Sequence, residues 1–429
     1  MNEKFYVPYE KIPTKLKRYS FKSKMETCFT ACQPLITPTS TICSNIIKPW
    51  QLETFALFSI FFNEWRQLEF SDNKEFHKII NGIKDKPKDV DVENILDTLS
   101  YRLIAIQGHR QQDIRHRLLR ASFIFNFEDE HISMKDDFYY KFNLNYNEIL
   151  EFIFPLYIIA MVKEVSQANL IKKKKKMDMN IIKLFAVDRG AFIDQQNIFI
   201  KNEINNFLYC IKYFYIYPFI IYENTTYLPL PYLLIDAKSE GMLTRITFGN
   251  DTVRNNLGYV LEKYLYKLLS DSNIYDQVIA ESIYYEGKNR KKTSDVIIKK
   301  DEACVLFEVK SCIPKASLRE LDEVDIGKMI CRYADATVQL YKQMTSCHIH
   351  EAFNNINKEN IFGVVVPLED SNVIRTKIYN LVCEKLNLAG DDCECNYIKS
   401  NIRIVSLAVD CFYKKNLHLI DLKGVDNRC

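Results

Sequence analysis

The chain has 429 residues, of which 47% are hydrophobic and 26% charged. At about 150 residues per domain, that length predicts two domains, each large enough for its own core. Lys and Arg number 58 against 55 Asp and Glu, a net charge of +3 that excludes a chain-wide basic coat but leaves room for local basic patches. Eleven Gly against 27 Phe and 26 Tyr exclude disorder, collagen-like repeats and long flexible linkers.

The N-terminal stretch MNEKFYVPYEKIPTKLKRYS has no apolar core of the kind a secretory signal needs. The two most apolar runs, residues 149–162 and 207–222, are broken by Glu151 and Pro155 and by Lys212 and Pro218. Neither reaches the roughly 20 apolar residues that span a bilayer. Thirteen cysteines without a regular framework read as reduced thiols, and the expectation is a cytoplasmic protein with no membrane association.

In chain order, the first half reads as helical. Helices are predicted over residues 52–70, over 92–125 and over 146–163, the second with Asn94 as cap and an apolar stripe through Ile95, Leu99, Leu103 and Ile106. Lysines 172–176 form a basic run that reads as a solvated loop. From residue 213 the pattern changes. PFIIYENTTYLPLPYLL predicts a hairpin turning at Glu223, Asn224 and Thr225. Leu257, Val260, Leu261, Tyr264, Leu265 and Leu268 predict an amphipathic helix over residues 252–269. Strands follow over 277–285, 295–299 and 304–310, then a helix over 325–346. A buried strand at 361–367, a helix at 376–388 and strands at 402–412 and 417–422 complete the series. The order α-β-β-β-α-β implies an α/β domain with a mixed sheet and helices on both faces. The division is therefore a helical region, residues 1–212, that meets a protein partner, a second copy or nucleic acid, and an α/β domain, residues 213–429.

The chemistry concentrates in SDVIIKKDEACVLFEVKS, residues 294–311. Read as a hairpin turning at residues 300–302, it places Glu308 and Lys310 on one face of the second strand, about 7 Å apart. Val305, Phe307 and Val309 take the other face, and the fold-back brings Asp295 toward Glu308. Two carboxylates and an ammonium then converge. Mg²⁺ takes hard oxygen ligands of this kind, with the Val309 carbonyl a third, and lowers the pKa of a bound water. Lys310 would orient that water and offset developing negative charge. An acid-x-Lys triplet alone means little: Asp72, Asp236, Glu286 and Asp421 also begin one. Asp421, with Asp410 before it, is the best decoy, but only Glu308 is framed by a preceding helix, a hairpin aspartate and a following α-β unit.

Those residues resemble the PD-(D/E)xK nuclease superfamily, whose fold is restriction-endonuclease-like, over roughly residues 250–367. The resemblance implies an αβββαβ core and hydrolysis of DNA phosphodiesters with Mg²⁺ or Mn²⁺. Asp295 matches the family's hairpin aspartate, and Glu308 and Lys310 match its (D/E)xK. Glu262, on NNLGYVLEKYLYKLL, matches the core-helix glutamate that adds a metal contact. Ser294 stands where the family name has Pro. Gln339 matches the Gln of a Gln-x-x-x-Tyr found in many members, with Gln343 in place of the Tyr. The wider layout resembles standalone bacterial nucleases linked to defence against foreign DNA.

Around this centre, Gln339 and Arg332 lie on a helix face with Lys328, Asp335 and Lys342, and Lys288, Arg290, Lys291 and Lys292 form a basic loop before Asp295. These are the candidate nucleic-acid contacts. Glu281 reads as structural. The cysteine groups at residues 28, 32 and 43 and at 383, 393 and 395 lack zinc-ribbon spacing. His109 and His116 read as helix surface, and no phosphate-binding glycine loop occurs. Two alternatives stand beside the DNA nuclease: an RNA nuclease, and a module of the same fold that binds nucleic acid without cutting.

Overall fold

A computed structural model describes residues 6–32, 47–62, 68–70, 73–84, 114–162, 176–201, 203–204, 206–210, 213–311, 323–346, 356–368, 375–389 and 392–405. The chain divides into two compact units. One comprises residues 1–90 and 135–249, the other residues 91–134 and 250–429.

The first unit is mainly helical, as the sequence implies. Its helices include Phe21–Cys32, Pro49–Phe61, Tyr146–Val162 and Arg189–Ile200. Pro49 sits at the first turn, where a missing N–H costs nothing. The hairpin is present, with strands Phe219–Tyr222 and Thr225–Tyr227 turning through Glu223 and Asn224 at φ 48° and 58°. Positive φ at both turn positions matches the right-handed twist of the strands. The first strand also pairs in parallel with Ala186–Asp188, an element too short to show in the sequence pattern. This pairing ties the hairpin to the helical unit. Residues 213–249 therefore belong with it, whereas the sequence reading drew the boundary at 212/213.

The second unit opens with helix α1, Ile114–Phe125; the rest of the helix expected from residue 92 lies outside the described residues. Helix α2, Asp251–Asp271, is capped by Asn250, whose side chain accepts from the Val253 amide. Phe123 of α1 meets Tyr264 of α2 with ring centroids 5.2 Å apart. The strands are β1 Gln277–Ala280, β2 Ile283–Glu286, β3 Asn289–Lys292, β4 Val296–Lys300 and β5 Ala303–Lys310. Then come α3 Glu323–Met344, β6 Ile361–Pro367, α4 Arg375–Lys385, α5 Cys393–Asn401 and β7 Ile402–Ile404. Five strands form a mixed sheet in the order β7-β6-β5-β4-β1: β1, β4 and β5 run antiparallel, and β5, β6 and β7 run parallel.

Strand β5 is central, and both of its faces are buried. Ile297, Cys304 and Leu306 pack with Tyr333, Ala336 and Leu340 of α3 in one cluster. The alternate residues Val296, Ile298, Val305 and Phe307 are equally buried and turn to the other face, which α2 covers. The chain is thus an α/β protein with a helical N-terminal region and a mixed sheet. The strand expected over 402–412 is described only for Ile402–Ile404. Residues 410 and 417–422, including Asp421, lie outside the described residues, as do His109, Cys43 and Lys172 to Lys175.

Two expectations need correction. Residues 277–285 are not one strand: β1 ends at Ala280 and β2 leaves the main sheet to pair with β3. Nor are all the cysteines reduced. Cys383 of α4 and Cys395 of α5 form a disulfide, their Cα atoms 5.9 Å apart where the two helices pack. Cys28 and Cys32 are free and fully buried, and burial pushes both thiols well up. No helix among the described residues is long and apolar enough to cross a membrane.

Candidate active site

Strand register brings the sequence-predicted residues together. Val296 pairs with Phe307, so Asp295, one residue before β4, stands opposite Glu308. Asp295 Oδ2 accepts from the Val309 amide at 2.6 Å, which fixes the carboxylate across the end of the hairpin. The turn is made by Asp301 and Glu302, with Asp301 at φ 53°. Lys310 Nζ donates to Glu308 Oε1 at 2.7 Å, and Gln339 Nε2, from α3, donates to Glu308 Oε2 at 2.9 Å. Glu308 is almost fully buried, its side chain 4% exposed, whereas that of Lys310 is 29% exposed. The ammonium thus lies where the buried centre meets solvent.

Burial and mutual repulsion act on the carboxylates of this centre. Burial, then the Glu308 and Glu262 carboxylates, push Asp295 up to about 8. Burial, then Glu281 and Glu308, push Glu262 up to about 7. Burial also raises Glu308, against the pull of Lys310. Glu262, on α2, is thus one of the carboxylates whose charge acts on Asp295. Like charges crowded in a desolvated place resist ionising together, which is a common property of sites that hold a cation or move protons.

Glu281, which the sequence reading set aside as structural, also acts on this centre. It accepts from Lys292 Nζ at 2.8 Å, and of the carboxylates acting on Glu262 its charge raises that group most. Its signal lay in position, since it directly follows the strand that pairs with the one after Asp295. The second feature missed is a β-bulge. The Glu281 amide bonds the Asp295 carbonyl at 2.9 Å and the Thr293 amide bonds the Ser282 carbonyl at 2.9 Å. Glu281 and Ser282 thus face Thr293, Ser294 and Asp295, and Ser294 is the extra residue. It is fully buried and its hydroxyl has no hydrogen-bond partner.

Of the predicted nucleic-acid contacts, Gln339 reaches the centre directly. Arg332, Lys328, Asp335 and Lys342 share its exposed helix side, with Asp335 paired to Lys385 at 2.7 Å. Lys288, Arg290, Lys291 and Lys292 are exposed but do not form a loop. Residues 289–292 are strand β3, paired residue for residue with β2 around Gly287 at φ 62°. The positive φ at Gly287 suits the tight turn.

The donor set fits a hard divalent cation chemically. All of its protein groups are carboxylates, and such an ion would relieve the repulsion that raises their pKa values. Among the described residues, no group of three or more His, Cys, Asp or Glu side chains stands at metal-holding spacing. Lys310 and Gln339 engage one oxygen each of Glu308, and Val309 engages one of Asp295. Carboxylate oxygens carry further lone pairs, so these bonds orient the ligands and leave coordination capacity. In comparisons with protein-family profiles, curated proteins and solved structures, nothing matches this chain.

Proposed function

We propose that the chain is a metal-dependent nuclease of the PD-(D/E)xK type that hydrolyses DNA phosphodiesters, acting in defence against foreign DNA. The observation that carries this reading is the register that sets Asp295 opposite Glu308, with Lys310 on the same strand face at the solvent boundary. Asp295, Glu308 and Glu262 would hold Mg²⁺ or Mn²⁺ through hard oxygen ligands. When bound, the ion supplies an acidified water and neutralises charge on the phosphate. Lys310 places a positive charge beside the reacting phosphate, where it steadies the attacking water and the charge that develops. Gln339 holds the Glu308 carboxylate in place and so acts as a positioning residue. The helical unit would recognise a partner, a second copy or nucleic acid, and the cytoplasm is the compartment this reading requires.

One observation favours a competing reading. With both Glu308 oxygens already bonded, to Lys310 and to Gln339, the carboxylate is satisfied without an ion, which suits a module that keeps the fold and binds nucleic acid without cutting it. A cleavage assay separates the two. Purified protein is incubated with plasmid, linear and single-stranded DNA in Mg²⁺, Mn²⁺ or EDTA, with Lys310→Ala alongside. Metal-dependent cutting that disappears in the variant is the expected result. Binding without cutting in every metal, by a folded wild type, would replace the nuclease with the binding module.

A further inference from the structure

The β2–β3 ribbon is unlike the rest of the α/β unit. It forms a two-stranded sheet of its own beyond the Ser294 bulge, and residues 283, 285 and 287–292 lie in water, with Tyr284 half-buried. Ile283 is 48% exposed and Tyr285 is 70% exposed. An isolated two-stranded ribbon is marginally stable in water, and apolar side chains on it contribute nothing to a core. Their presence calls for a surface to pack on.

Register shows what that surface carries. Tyr285 pairs with Arg290 and Ile283 with Lys292, so these four side chains share one face. Tyr284 pairs with Lys291, and both take the opposite face. Lys288 is at the tip. Each face therefore sets a tyrosine beside a cation, which points to a polyanion with flat or apolar edges. Cations on both faces discriminate further. A single strand tracks one side of a protein surface. A ribbon lying in a groove meets a phosphate backbone on either side. The B-DNA major groove, about 12 Å wide, admits a two-stranded ribbon. The major groove of A-form RNA is too deep and narrow to admit one.

The ribbon is also placed for this role. Its base is the Ser294 bulge, directly before Asp295, and the Ser282 amide anchors it by donating to Thr293 Oγ1 at 2.8 Å. Lys288 precedes Asp295 by seven residues. At about 3.4 Å per residue, the tip stands up to about 24 Å from the carboxylates along the strand. We infer that the β2–β3 ribbon is a duplex-DNA grip, entering the major groove to one side of the carboxylate centre, with Tyr285 on base edges and Lys288, Arg290 and Lys291 on the two backbones. This names the substrate form of the proposed nuclease and rests on that reading.

Binding rather than cutting tests it. The full chain, the triple variant Lys288→Ala/Arg290→Ala/Lys291→Ala and Tyr285→Ala are titrated in EDTA. The probes are a short duplex DNA, its single strand and an RNA duplex of the same sequence, across a range of salt. Wild type should prefer the DNA duplex. The triple variant should bind it at least tenfold more weakly, with a salt slope smaller by about two to three, near 0.9 per lost phosphate contact. Tyr285→Ala should weaken binding severalfold and leave the slope unchanged. Thermal melts matching wild type would show that the exposed positions leave folding intact. Equal duplex affinity in wild type and triple variant overturns the grip. So does wild-type preference for the single strand or the RNA duplex, or no binding at all. Because cutting is not the readout, a wild type that binds in this way but never cleaves would sink the nuclease and leave the ribbon standing.

Discussion

Each unit buries a glutamate, and the charges around the two are handled in different ways. In the helical unit, Lys24 and Glu53 are fully buried. Lys24 Nζ donates to the Phe62 carbonyl at 3.0 Å, and Glu53 accepts from the hydroxyls of Tyr215 and Tyr232 at 3.0 and 2.8 Å. These hydrogen-bond partners are neutral, although the Arg189 charge also acts on Lys24. In the α/β unit, Glu308 is as deeply buried, but its lysine reaches solvent and its neighbours are other carboxylates. A buried charge satisfied by neutral partners is an architectural element. A buried charge crowded by like charges, with one cation at an opening, is poised for a ligand that the fold itself does not provide.

The largest expected effect tests the second half of that contrast. Asp295→Ala, Glu308→Ala and Lys310→Ala should each reduce cutting at least about a thousandfold, roughly 4 kcal/mol of transition-state stabilisation. Asp295→Asn should raise the melting temperature in EDTA, because it removes one of the repelling carboxylates. Mg²⁺ should then stabilise wild type more than this variant in a thermal shift. Equal Mg²⁺ shifts in the two proteins would remove Asp295 from the ligand set.

Lys24 tests the other half. Burial, followed by the nearby Arg189 charge, pushes its pKa down to about 7 from the ordinary 10.5. Between those values the unfolded chain holds more protons than the folded one, so stability rises with pH across the window. Below about pH 7 both states are charged, and the folded state bears the full cost of the buried ammonium. Urea unfolding of wild type should therefore show a gain of a few kcal/mol between pH 7 and 10 that Lys24→Met lacks. Parallel pH profiles for the two proteins would mean that Lys24 is hydrated in the folded state.

A smaller effect is expected at Glu262, which approaches from a helix instead of the hairpin. Glu262→Gln should slow cutting tenfold to a hundredfold, about 1.4 to 2.7 kcal/mol, without abolishing it. A loss as large as that of Glu308→Ala would make Glu262 a principal ligand.

The sequence showed the hairpin chemistry because strand alternation is a strict rule. Glu308 and Lys310 had to share a face, and a turn at 300–302 had to return Asp295 toward them. Glu262 came from the resemblance, by its position on the helix that matches the family's core helix. The ribbon was hidden for a physical reason. Residues 277–285 read as a continuous strand because Glu281 and Ser282 do not break the pattern, and the change of partner takes place in the backbone. The Ser294 bulge is a one-residue slip with no side-chain signature, and it turned an expected basic loop into a paired strand. The Cys383–Cys395 bond was equally hidden, since it depends on how two short helices pack. The strand Ala186–Asp188 has three residues, too few for any periodicity.

The smallest effect concerns packing close to the site, and it separates stability from chemistry. Gly363 lies in β6, between Leu306 of β5 and Ile402 of β7. A Cβ there would stand 2.9 Å from Met344 Sδ and 3.3 Å from Ile402 Cγ1. Both neighbours are fully buried, so the added methyl has no free volume to enter. Overpacking of this kind costs about 1 to 3 kcal/mol, and the adaptable thioether of Met344 places Gly363→Ala near the lower end. Urea unfolding should show that loss, and Met344→Ala in the same chain should make the added methyl less costly. Gly363 is two residues from Val365, which pairs with Glu308, yet it touches none of the carboxylates. Well below the melting temperature, Gly363→Ala should cut and bind as wild type does. If cutting fell with stability unchanged, the geometry of the centre would depend on the β5–β6 spacing itself, and the site would extend one strand further into the sheet than Asp295, Glu308 and Lys310 indicate.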